Sequence, residues 1–246
     1  MKFSSTAFTS TLVLMATAQV LNIPRRTGSI ISLSAPMNIT GHRDFNNEEY
    51  DRGIPCNSDD DTGSASAVFI LAPGASISNV IIGADALEGV HCLGACTLSN
   101  VWFRDVCEDA ISILGTGTVA IKGGGAQNAF DKVIQHNGQG LVSVDDFTVI
   151  NAGKVFRSCG NCSKQYGPRS INFYGLKAYN VTADIAGINS NYDDVLTIDK
   201  SCGSDIANVC QEFKGVLKSE GIPSPLLNST DNCRGKQGKL PTLPPC

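Results

Sequence analysis

The sequence predicts an all-β protein of one domain, a right-handed parallel β-helix closed by an irregular, disulfide-tied C-terminal segment. Three observations predict it. From about residue 66 onward, short β-branched and aromatic runs alternate with Gly, Asn and Asp, with no long segment of helical period between them. These runs fall into three interleaved series whose members recur about every 21 to 29 residues. The breaks between them are rich in Gly and Asn, which best tolerate the positive φ of tight bends.

In chain order, residues 1–18 read as a signal peptide. Lys2 supplies a minimal basic start, Phe8 to Ala16 is mostly apolar, and Ala16-Thr17-Ala18 fits the small-residue cleavage rule. The apolar run is too short for a membrane span, and no later stretch reaches about 18 apolar residues. The mature protein, residues 19–246, is therefore expected to be secreted, extracellular and soluble. Residues 19 to 65 are polar, irregular and Pro-bearing, and are expected to lead into or cap the first coil.

The coils are expected over about residues 66–200. One series contains Thr97-Leu98, Thr118-Val119, Leu141-Val142, Ile171 and Leu196. A second contains Val80-Ile81, Val101-Trp102, Ile121, Phe147 and Leu176, and a third Val90, Ala110-Ile111, Val133 and Val155. A β-sandwich also has many short strands, but it does not need three series with one shared period. A parallel β-helix does, because each coil supplies three strands that stack on the coils above and below. Residues 202–246 hold four of the ten cysteines and several prolines, and read as a C-terminal wrap.

An even cysteine count behind a signal peptide favours disulfides. Cys92-x3-Cys96 and Cys159-x2-Cys162 also prompt a zinc reading, which an oxidising compartment disfavours. Asn38, Asn161, Asn180 and Asn228 each begin an N-x-S/T sequon. The formal net charge of -4 argues against nucleic acid as a partner but not against an anionic polysaccharide met at a locally cationic cleft.

The third series carries charges just before its apolar residues: Glu88, then Glu108-Asp109, then Asp131-Lys132, then Lys154, with Arg157 following. Glu88 to Asp109 is 21 residues, Asp109 to Asp131 is 22, and Lys132 to Arg157 is 25, all close to one coil. Equivalent points on adjacent coils lie about 4.8 Å apart. Carboxylates so close repel unless a cation sits among them. Either these charges face solvent as ordinary pairs, or the stacked acids hold a hard divalent cation such as Ca2+, which takes several oxygen ligands.

These residues carry a resemblance. "NVIIGADALEGVHCLGACTLSNVWFRDVCEDAISI", "GTVAIKGGGAQNAFDKVIQHNG", "GKVFRSCGNC" and "AGINSNYDD", over about residues 66 to 195, resemble the small pectate lyases of polysaccharide lyase family 3, secreted by microbes that degrade plant cell wall. The resemblance implies a Ca2+-dependent right-handed β-helix that cleaves polygalacturonate (pectate). It implies Glu88, Glu108 and Asp109 as metal ligands, Lys132 as catalytic base and Arg157 as the supporting arginine. Asp131 and Lys154 are candidates for orienting the site and contacting substrate. Glu88 stands where some members carry Asp, and Leu114 where some carry Lys, which leaves one substrate-carboxylate contact open.

The implied reaction is β-elimination: a base takes the C5 proton, α to the carboxylate, and the O4 leaving group departs. Lys132 must be neutral to do this. A cation and Arg157 beside it would lower its pKa, and the nearby carboxylates would oppose that. Two rivals remain at this point: a polygalacturonase-type hydrolase, which needs two suitably spaced carboxyls, and a non-catalytic secreted pectate-binding protein. His91 and His136 lack a nucleophile partner and read as structural. Lys122, Lys154, Lys164 and Arg169 are candidates for lining the groove. No membrane partner is expected, and the protein is expected to act as a monomer.

Overall fold

Asn and Gly at the bends turn the chain through repeated coils. The computed structural model describes residues 20–56 and 62–246; the signal-peptide reading of residues 1–18 lies outside the described residues. Every strand-to-strand ladder among the described residues is parallel. Strands pair with the strand one coil away, as a parallel β-helix requires.

Long strands bend and take part in more than one ladder. Strand β9 (Val119–His136) joins all three. In the first ladder, Leu98 pairs with Ile121, Ile121 with Val144, Val144 with Phe173 and Phe173 with Ile198. In the second, Phe103 pairs with Ala126, Ala126 with Val149 and Val149 with Ala178. In the third, Phe69 pairs with Val90, Val90 with Ile111, Ile111 with Ile134, Ile134 with Phe156 and Phe156 with Ala186. All six third-ladder residues are fully buried. Each buried aliphatic or aromatic side chain contributes roughly 1.5–3 kcal/mol, so the stack down the cylinder is the main source of stability.

Two register expectations shift. Ile121 belongs to the first ladder, and Gly124 takes the place opposite Val101 in the second. Thr97-Leu98 faces Ala120-Ile121, two residues beyond Thr118-Val119. The cause is Gly123 at φ 62, which turns the chain between the two ladders where the coils on either side use Asn100 at φ 53 and Asp146 at φ 53.

The bends between the second and third ladders are Asn128, Asn151, Asn180 and Asp205, all at positive φ. Their side chains stack: Asn151 Nδ2 donates to Asn128 Oδ1 at 3.1 Å, and Asn180 Nδ2 to Asn151 Oδ1 at 3.1 Å. Each amide thereby satisfies part of the next one's hydrogen-bonding demand.

The ladders run further than residues 66–200. The N-terminal strands β1 (Thr27–Ser32), β2 (Met37–Ile39) and β3 (His42–Asp51) already pair in parallel. So do β15 (Cys202–Ile206) and β16 (Cys210–Phe213). These end strands carry polar residues because backbone pairing does not require both faces to be buried, and that hid them from an apolar-run search.

All ten cysteines are bridged: Cys56–Cys107, Cys92–Cys96, Cys159–Cys162, Cys202–Cys246 and Cys210–Cys233. The short-spaced pairs are therefore disulfides, not zinc ligands. Two bridges tie the C-terminal segment to the last coils, and Leu243 in that segment is buried in the core.

Candidate active site

The charged residues gather at the head of the third ladder. Glu88 opens β6 (Glu88–Cys92) and Asp109 opens β8 (Asp109–Ile113). Asp109 pairs with Lys132, Lys132 with Lys154, and Lys154 with Asp184. Glu88 precedes Val90 by two residues as Asp109 precedes Ile111, and Val90 and Ile111 are partners. Glu88, Asp109, Lys132, Lys154 and Asp184 thus form one column. The expected alignment of Asp109 with Asp131 is off by one residue, and Lys132 takes that place.

A β-bulge causes this. Ala129 pairs with Ala152 and Lys132 with Lys154, so Phe130 and Asp131 together face Gly153. Bulges re-aim side chains. Here Phe130 is 77% exposed, and Asp131 is turned between two lysines. A Cβ on Gly153 would lie 2.6 Å from the Asp131 carbonyl oxygen, so the bulge fits only against glycine.

Lys132 Nζ lies 2.5 Å from Asp131 Oδ2, 3.4 Å from Glu108 Oε1 and 3.4 Å from Asp109 Oδ1. Asp131 also pairs with Lys154. Burial alone would lower the Lys132 pKa, but Asp109, Asp131 and Glu108 outweigh it and hold the amine well above its ordinary value. Burial likewise raises Asp131, yet hydrogen bonds from Lys132 and Lys154 leave it below the usual carboxylate range. Asp109 is pushed well up, by burial first and then by Glu108 and Glu88, with Lys132 opposing.

Glu88, Glu108, Asp109 and Lys132 line one cavity of about 530 Å³. Glu88 is held: His91 Nε2 lies 3.1 Å from Glu88 Oε2, and His91 Nδ1 lies 2.9 Å from Ser64 Oγ. Because the ionised Glu88 only accepts, His91 carries its donor at Nε2. Asp109 Oδ1 is buried without a hydrogen-bond partner, its one described contact being the long ion pair to Lys132. Three hard oxygen donors on one wall, one with an unmet acceptor, fit a hard dication such as Ca2+. Among the described residues, no three acidic, His or Cys side chains already converge on one point as a finished metal cage.

A second column runs beside the first: His91, Ser112, Gln135, Arg157 and Gly187 are successive partners. Its first three members line the cavity. Arg157 is therefore a rung-neighbour of Gln135, not of Lys132, and it does not line the cavity. Its guanidinium donates to Gly187 O at 3.2 Å, Asn189 Oδ1 at 3.1 Å and Ser224 Oγ at 3.2 Å, and lies 4.0 Å over the Phe213 ring. Burial lowers its pKa to about 10, with Asp184 and Asp194 opposing. The expected closeness of Arg157 to Lys132 is thus replaced by an anchorage in the C-terminal strands.

Of the other candidates, Arg169 is fully buried and donates to Gly138 O at 2.9 Å and Gln165 Oε1 at 2.8 Å, so it is a structural residue and not a groove cation. Lys122 lies in the first ladder, away from the cavity. Lys164 does not line the cavity either. His136 is fully buried and its pKa is lowered to about 4, by burial and by Arg169, consistent with a structural role.

Sequence reasoning missed three participants. Asp184 continues the charged column, but 30 residues after Lys154, a spacing longer than the series showed. His91 was set aside although its spacing of three from Glu88 was visible. Lys218 reaches the cavity from the C-terminal segment, and no periodicity could place it.

A parallel β-helix with a cleft of stacked acids around a lysine defines the class: an enzyme architecture suited to an anionic polysaccharide. The sequence model of the pectate lyase family matches residues 20–220. The chain is 50% identical over 203 residues to pectate lyase E of Emericella nidulans, covering 82% of this chain and 78% of that protein. It is 46% identical over 218 residues to a probable pectate lyase E of Neosartorya fischeri, covering 87% of this chain and 84% of that one. Among solved structures, the catalytic domain of pectate lyase PelI from Erwinia chrysanthemi superposes with a TM-score of 0.72 at 32% identity, covering 85% of this chain and 98% of that chain. PelI in complex with tetragalacturonic acid superposes with a TM-score of 0.69 at 32% identity, covering 82% and 67%. The chain belongs to the pectate lyase family.

Proposed function

We propose that this protein cleaves pectate by β-elimination, with Lys132 removing the C5 proton of a galacturonate unit. One observation carries the reading: the Lys132 amine stands in the cavity among Glu108, Asp109 and Asp131, with Glu88 on the same wall. A lysine so placed can act as base once neutral.

Glu88, Glu108 and Asp109 would hold a calcium ion. Bound there, calcium would supply positive charge to the substrate carboxylate and to the enolate-like charge that develops beside it. Lys132 takes the proton, and its own release of a proton to solvent at alkaline pH readies it. Asp131 orients Lys132 by its short hydrogen bond and holds Lys154 beside it. Lys154 and Arg157 are the further cations on the adjoining coil; Arg157, fixed by four partners, would act as a rigid positive field that stabilises developing negative charge. The five disulfides and the signal-peptide reading of residues 1–18 support an extracellular site of action, on plant cell wall pectate.

The test is the ultraviolet absorbance of the unsaturated product on polygalacturonate, with Ca2+ and with excess chelator. The proposal expects product with Ca2+ and near-complete loss without it. Product that is saturated, measured as reducing ends without the absorbance, would point to hydrolysis, and undiminished activity in chelator would remove calcium from the account.

A further inference from the structure

The cavity has two unlike walls. One carries the acids. The other is built by the loop at Cys159–Cys162 and by the C-terminal segment that docks on it. Val216 N donates to Gly160 O at 2.8 Å and Lys218 N to Cys162 O at 3.0 Å, so the segment is laid along the loop. Gln165 Nε2 adds a bond to Val216 O at 2.7 Å. A short 3-10 turn, Lys218–Glu220, follows, steadied by Leu217 N donating to Glu220 Oε1 at 2.7 Å. Through this backbone docking Lys218 lines the cavity although it lies 86 residues after Lys132 in the chain.

Among the described residues that line the cavity, the cationic side chains are Lys132 and Lys218. Lys132 is committed to three carboxylates. Lys218 is exposed and makes no ion pair among the described residues. Nearby lining residues are amides, a hydroxyl and one apolar side chain: Asn137, Asn161, Ser163 and Leu114. This wall has one positive charge, hydrogen-bonding groups for hydroxyls, and no acid of its own.

We infer that Lys218 forms a uronate subsite, in which its ammonium pairs with the carboxylate of a galacturonate unit neighbouring the one that reacts at Lys132. The inference rests on the pectate-cleaving reading and deepens it by assigning a specificity residue. A free carboxylate is attracted to Lys218, whereas a methyl ester, being uncharged, is not. The C-terminal segment therefore does more than close the cylinder: it contributes to the choice of unesterified substrate.

The experiment compares wild type with Lys218→Gln, Lys218→Arg and, as a charge-matched control outside the cavity, Lys239→Gln. On polygalacturonate, Lys218→Gln is expected to raise KM roughly fivefold, the scale of one solvent-accessible ion pair, with kcat little changed. Lys218→Arg should restore most of the loss. The gap between wild type and Lys218→Gln should narrow at high salt, which screens an exposed pair. Equal KM values at both ionic strengths overturn the inference, as does an equal rise in Lys239→Gln, which would mark a general surface-charge effect. Calorimetric titration of tetragalacturonate into Lys132→Ala and Lys132→Ala/Lys218→Gln, both with Ca2+, makes the same comparison without turnover. Equal affinity there also overturns the inference. If wild type yields no unsaturated product the lyase reading fails, and this titration still decides the role of Lys218.

Discussion

Asp109 and Lys132 are register partners on adjacent coils, and their charged atoms meet at 3.4 Å in a buried setting. This pair, with Glu108 and Asp131, keeps the base protonated in the metal-free cleft. The same acids that would hold a cation therefore also govern how readily Lys132 gives up its proton.

Replacing Asp131 by Asn tests that coupling. Activity should rise with pH as Lys132 becomes neutral. Asp131→Asn removes the nearest carboxylate, which stabilises the ammonium, so the Lys132 pKa should fall. The ascending limb of kcat against pH should then move to lower pH by about one unit or more. kcat at the plateau should also drop, because Lys132 loses its orienting partner. An unmoved limb would assign the titration to a group other than Lys132.

Gly153→Ala tests the bulge. Its Cβ would meet two carbonyl oxygens of the bulged strand, at 2.6 Å from Asp131 and 2.8 Å from Phe130. Backbone must move, at a cost of about 1–3 kcal/mol in stability. That movement displaces Asp131 and Lys132, so kcat should fall more than KM rises. Thermal melts and steady-state kinetics check both parts, and an unaltered melting temperature would contradict the close approach.

His91 tests how Glu88 is held. His91→Ala removes the contact to Glu88 Oε2. Ca2+ affinity by calorimetry should weaken roughly tenfold or more, the scale seen when the partner of a metal ligand is lost. His91→Gln, which can still donate to Glu88, should recover part of it. A purely structural histidine would lower the melting temperature in both variants without separating their calcium affinities.

His136 gives a stability prediction with a definite sign. Its folded pKa is lowered from 6.5 to about 4. Between those values the unfolded chain binds the proton and the folded one does not, so stability falls as pH drops from about 6.5 to about 4. Asp184, raised by burial from 3.8 to about 6, works in the opposite direction over an overlapping range, because its folded form binds the proton first. Denaturant unfolding of His136→Gln should be weaker overall but lose the His136 part of the slope, leaving stability that rises on acidification from about pH 6 to about pH 4. An unchanged slope would contradict a buried neutral His136.

The coil period was legible because the third-ladder residues Val90, Ile111, Ile134 and Phe156 are buried and therefore apolar. The end coils were not, since strands such as Thr27–Ser32 pair through backbone groups that side-chain identity does not report. Glu88, Glu108, Asp109 and Lys132 were legible as a group because they repeat at coil spacing, and the structure brings all four to one cavity. Arg157 was misplaced beside Lys132 because counting residues cannot see the bulge at Phe130–Asp131, which shifts the register. Lys218 was invisible for another reason: it reaches the cavity by backbone bonds from an irregular segment outside the repeat.

The central claim is that Lys132 is the base. Its most direct test is the turnover of Lys132→Ala on polygalacturonate with Ca2+, read as unsaturated product, with folding checked by thermal melt and Ca2+ binding by calorimetry. The account predicts a folded, calcium-binding protein whose kcat falls by roughly 10²-fold or more. A folded variant that retains a substantial fraction of wild-type kcat would contradict it and move the search for the base to Lys154 or Arg157.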